Sequence, residues 1–152
     1  MGIVETIRLL LSPRNRLLNR LAKTAADAEI LAANLARHTE MCNYPTLRAG
    51  LGELAAAQTA LADVLRQLLL QNGGWPKFPS KPSHEGSSNW ERLRNDLALQ
   101  VKILRALQSQ FAEWTTIDPE VAGRLRESAT EEDRHIEHLR DLTLKCDPHA
   151  LD

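Results

Sequence analysis

Five polar residues fall where the apolar stripes of this chain should be driest: Glu29, Gln58, Gln100 and Glu132, with His135 one turn beyond Glu132. Carboxylates and neutral imidazoles are good ligands for iron, manganese or zinc, whereas a carboxamide is a weak ligand with no charge to offset a dication. Burying any of these groups unpaired is unfavourable by several kcal/mol. Their recurrence on every long helix therefore points to one shared polar layer, either a hydrogen-bond network or a metal site. In a network, the two glutamines would donate their NH₂ groups to the two carboxylates.

Helical periodicity supplies the elements that must position them. Residues 3–11 read as a short amphipathic helix, and Ser12-Pro13 as the cap and first position of a long helix over 13–41. Its stripe is Leu17, Leu21, Ala25, Ala28, Ala32, Leu35 and Thr39, with Glu29 at the edge. A second helix, 45–72, opens at Pro45 and centres its leucine stripe on Gln58. A third, 89–114, places Gln100 among Leu93, Leu97, Leu104, Leu107 and Phe111, with Asp96 near the same face. The fourth, 119–146, starts behind Asp118-Pro119 and surrounds Glu132 with Val121, Leu125, Ile136 and Leu139. Each of the four central residues lies near the middle of its helix, so all four should meet at the waist.

Loop lengths set the topology. The first and third long connections are only a few residues, which makes each helix pair an antiparallel hairpin. Residues 73–88 contain three prolines and three glycines and hold no periodicity. Fully extended, that linker reaches roughly 50 Å, more than the length of about 39 Å expected for the third helix. It can cross the whole bundle, so the second and third helices should run parallel. The expected fold is all-α: an up-down-down-up four-helix bundle in a single domain, plus the short N-terminal helix. Cys42 and Cys146 should then share one pole.

The layout resembles the ferritin-like superfamily, which includes bacterioferritin and rubrerythrin. The resemblance implies a di-metal site built from one Glu on each of two helices and a Glu-x-x-His on each of the other two. Glu132-Asp133-Arg134-His135 matches that motif, EEDRHIEHLRDL looks like the last helix of rubrerythrin, and Glu29 matches the first-helix Glu. The chain departs from the pattern elsewhere. Gln100 stands at the third-helix Glu position, and Ala55 and Gln58 stand where the second helix should carry Glu and His. Most of the negative charge a di-metal centre needs is gone, and Glu29, Glu132 and His135 could hold at most one iron, manganese or zinc ion. The expectation is a degenerate metal centre in a binding or structural protein, with Gln58, Asp96 and Gln100 in a buried network. The rival is a metal-dependent oxidoreductase or iron-handling protein using Glu29, Glu132 and His135. A small-molecule carrier, with the ligand in space left by the many alanines, is a third class.

Composition narrows the rest. With 19 basic and 20 acidic residues the formal net charge is −1, and no basic face with interleaved aromatics occurs, so nucleic acid is not an expected partner. No apolar run is long enough for a membrane span, and the first residues lack the basic start of a signal peptide. Gly2 with Thr6 meets only the loose myristoylation pattern. Two cysteines in this chain suit a reduced, cytoplasmic setting better than a disulfide framework. His138 reads as solvated, and His38 and His84 as surface residues. Helix two has no histidine, which counts against the His-triad bundles of the DinB type, and hemerythrin-like bundles need more histidines than the chain supplies. Trp75, Phe78, Trp90 and Trp114 are expected to pin the crossover to the bundle end. The N-terminal segment, with Ile3, Val4, Ile7, Leu10 and Leu11 on one side, is too short to stand alone; it either packs on its own bundle or, the favoured expectation, mediates a homodimer.

Overall fold

The computed structural model describes residues 2–10, 12–78 and 86–146, among which there are five helices and no strand. They are α1 (Ile3–Leu10), α2 (Pro13–Met41), α3 (Pro45–Gln71), α4 (Asn89–Trp114) and α5 (Pro119–Lys145). The ends of the helices follow local chemistry. Ser12 accepts from the Asn15 N–H, Ser88 from that of Glu91, and Asp118 from those of Glu120 and Val121, so three of the four long helices have a side-chain cap. Pro13, Pro45 and Pro119 occupy first-turn positions, where a missing N–H loses nothing. α3 stops at Gly73, whose φ of 81° is the left-handed value glycine adopts without strain. The Gly74 N–H returns to Leu69 O at 2.9 Å and the Gly73 N–H to Leu70 O at 3.2 Å, closing a Schellman motif.

α2 packs against α3 and α4, and α5 packs against the same two helices; α2 and α5 lie across one diagonal, α3 and α4 across the other. Pairing along the α2–α4 seam fixes direction. His38 meets Asp96, Thr24 meets Gln110, and Arg20 meets Glu113, so the two helices are antiparallel. α3 and α4 therefore run parallel, and the fold is the up-down-down-up bundle. One pole gathers the C-termini of α2 and α5 with the N-termini of α3 and α4; the free thiols of Cys42 and Cys146 both sit there. At the other pole Arg14 donates to Asn72 Oδ1 at 3.0 Å, pairs with Asp118 at 3.6 Å and lies 5.5 Å over the Trp114 ring.

Contact with two neighbours widens the buried face of α2 beyond a single stripe. Leu18, Ala22, Leu31, Asn34 and His38 join the expected positions inside, while Thr39 is only half-buried. On α4 the buried line is rotated from the leucine stripe: Asp96, Gln100, Ile103, Gln110 and Trp114 are interior, and Leu97, Leu104 and Phe111 are half-buried on the flank. The expected aromatic clamp does not form. Trp75 and Phe78 are exposed, Trp90 stacks under Arg94 at 4.5 Å, and Trp114 is a core residue. Leu11 and His84 lie outside the described residues. No described helix is long and apolar enough to cross a membrane.

Candidate functional site

At the waist, α5 presents Glu132, α3 presents Gln58 and α4 presents Gln100, and all three side chains are 0 % exposed. When Glu132 is ionised, only the orientation of the Gln58 amide that turns Nε2 towards it sets donor against acceptor. In it Nε2 lies 3.2 Å from both carboxylate oxygens. The Gln100 amide faces the same carboxylate and favours its ionised form, but neither of its polar atoms is well placed for a hydrogen bond among the described residues. Burial outweighs both amides and pushes the Glu132 carboxyl up from 4.5 to about 7.

Three of the expected layer residues thus converge; Glu29 does not. It lies at the outer edge of α2 with its side chain 30 % exposed, and its carboxylate pairs with Arg66 at 3.7 Å. The geometry is that of a flank position, where a carboxylate keeps part of its hydration. His135 is half-buried at the lip of a groove between α3 and α5. Its Nδ1 is buried without a hydrogen bond, and burial holds the imidazole below its ordinary value, with the Glu131 charge opposing.

A second polar contact, on the α2–α4 seam, involves a residue that looked superficial. His38 is buried, and its Nδ1 lies 2.5 Å from Asp96 Oδ2. Burial raises the Asp96 carboxyl; the bond and charge of His38, the Arg37 charge and a bond from Asn34 all pull it back. His38 Nε2 meets no hydrogen-bond partner among the described residues. The sequence carried a signal for this pair: Leu31, Leu35, His38 and Cys42 follow i, i+4, i+7, i+11, and Asp96 on an apolar face needed a partner. Further along the seam Gln110 Nε2 donates to Thr24 Oγ1 at 2.8 Å, a pair that the leucine stripe concealed. At the pole, burial and then the neighbouring Cys42 raise the Cys146 thiol, which makes it a weak nucleophile.

Among the described residues no three His, Cys, Asp or Glu side chains come together so as to hold a metal ion. The donor set around Glu132 is two neutral amides, which does not fit a di-metal centre.

The up-down-down-up bundle has the ferritin-like fold. The same fold is found in the crystal structure of an archaeal Dps homologue from Halobacterium salinarum, which superposes with a TM-score of 0.75 over 85% of this chain and 79% of that chain, at 22% identity. No protein-family model matches the sequence and no curated protein matches it.

Proposed function

We propose that the chain is a ferritin-like bundle with a degenerate metal centre, acting as a non-catalytic binding or structural protein in the cytoplasm, as a homodimer. The observation that carries this reading is the Gln58–Glu132 contact. When Glu132 is ionised, both oxygens that a metal would need accept from an uncharged amide, and burial shifts the group towards the proton-bearing acid, which is a poorer ligand still. Glu29, which would have to complete the set, faces Arg66 instead. The fold is kept while the charge that would bind a dication is replaced by hydrogen bonds.

The rival reading, a metal-dependent oxidoreductase or iron-handling protein, draws on the likeness to the Dps homologue and needs Glu29, Glu132 and His135 to converge. Metal content decides between them. Protein produced in iron- and manganese-supplemented medium and purified without chelator is expected to carry sub-stoichiometric metal, at a level unchanged by Glu132→Ala. Stoichiometric metal that disappears in that variant overturns the proposal.

A further inference from the structure

Two unpartnered apolar surfaces of this chain match one another. The first is α1. Among the described helices it meets α2 alone, and Ile3, Val4 and Ile7 are 79 %, 64 % and 47 % exposed. Eight residues with an apolar side left in water do not make a stable element by themselves. The second surface is the open groove between α3 and α5, with a volume of about 740 Å³, an apolar floor and a polar lip. Its floor is Ala57, Ala60, Leu61 and Val64, with Val64 40 % exposed. The alanines on this stretch of α3 hold the side-chain surface back and leave the trough.

We propose that α1 of one chain lies in the α3–α5 groove of a second copy, and that the reciprocal contact closes a two-fold dimer. Length fits: α1 is about 12 Å long, and the floor residues 57–64 span about 10 Å of helix. Charge does not oppose the contact: α1 carries one acid and one base in its sequence, and the lip of the groove carries two of each, Arg124, Arg126, Glu127 and Glu131. The chain's own groove is out of reach. α1 is joined through residues 11 and 12, roughly 7 Å when extended, to the start of α2, and the α3–α5 groove is on the face opposite the α2–α4 seam. Crossing the bundle takes roughly 20 Å, two helix diameters. A second copy has no such restriction. The inference rests on the homodimer reading and names the surface that it uses.

Sedimentation of the full chain tests it with two variants, Ile7→Asp in the helix and Val64→Arg in the groove. Both positions are solvent-exposed within the monomer, so helicity by circular dichroism should match the parent. The parent is expected to be a dimer, and each variant to dissociate with a Kd raised roughly tenfold or more. A mixture of the two variants is diagnostic, because only the heterodimer retains one intact helix–groove contact; it should dimerise more tightly than either variant alone. A parent dimer that neither variant weakens overturns the groove assignment and leaves the homodimer reading standing. A monomeric parent overturns both. A dimer weakened by Ile7→Asp but not by Val64→Arg places α1 elsewhere on the partner and also rejects the groove.

Discussion

Glu132 at the waist and Asp96 nearer the pole are both carboxylates with almost no solvent contact, and the two surroundings treat them differently. Glu132 is met by amides, which bring dipoles and no charge, so desolvation prevails and the carboxyl rises to about 7. Asp96 is met by an imidazole, with the Arg37 charge and Asn34 behind it, and each of these opposes the rise that burial imposes. One carboxyl is fitted to keep a proton and the other to share one with His38. The same bundle thus shows two ways to bury an acid: neutralise it in place, or supply a base. The first answers burial with dipoles alone and leaves the Gln100 amide without a hydrogen bond among the described residues. The second depends on its partner, since losing the base removes the largest of the contributions that oppose the burial of the acid and leaves only the Arg37 charge and Asn34.

Removing that base should have the largest effect. His38→Ala is expected to destabilise the fold by about 3–5 kcal/mol, the usual penalty for stranding one member of a buried pair, measured by denaturant titration at neutral pH. Adding Asp96→Leu to His38→Ala should recover part of the loss. A loss confined to that expected of a surface substitution would mean that the pair is not buried as described, and the contrast with the waist would fall.

Glu132 sharpens the contrast through pH. Its carboxyl is near 4.5 when unfolded and about 7 when folded, so folding takes up a proton between those values. Stability from this group is full below about pH 4.5 and is lost as pH rises through 7, by about 3 kcal/mol in all. Glu132→Gln, which keeps the shape without the charge, should match the parent near pH 4 and exceed it at pH 8. The difference between the two profiles is the quantity to read. His135 is held below its ordinary value and contributes in the opposite sense, with stability lost as pH falls, but it is common to both proteins. A flat difference between pH 4 and 8 would show that Glu132 is ionised throughout, and the distinction from Asp96 would vanish.

Much of this could be read before any coordinates. Leucine periodicity, prolines at helix starts and the length of residues 73–88 determine the topology, because hairpin and crossover lengths are geometric limits rather than preferences. Gln58, Gln100 and Glu132 were legible as a layer because each is the centre of a clear stripe. Glu29 was misplaced into it, since a position at the stripe edge can turn to either side and the Arg66 that holds it outside is 37 residues away in the chain. His38 was missed for the reverse reason. A helix that touches two neighbours buries a broad face, and an approach built on one narrow stripe leaves the second seam unread. Asp96–His38 and Thr24–Gln110 both lie on that second seam, which forms between helices far apart in sequence.

The two glutamines offer the finest test, since they occupy one layer and do unequal things. Gln58 donates to both oxygens of Glu132, whereas Gln100 is equally buried with neither polar atom hydrogen-bonded. Replacing Gln58 with Leu should cost about 1–3 kcal/mol at pH 8, where Glu132 is ionised and would lose its donor, and less at pH 4. Replacing Gln100 with Leu removes an amide that is already unsatisfied, so at pH 4 it should be neutral or stabilising by about 1 kcal/mol. At pH 8 the help that Gln100 gives the carboxylate, which is no smaller than that of Gln58, is lost, and the gain should disappear or turn into a loss. Equal penalties for the two variants at both pH values would mean that Gln100 has a bonding partner, and that the layer is closed by two donors rather than one.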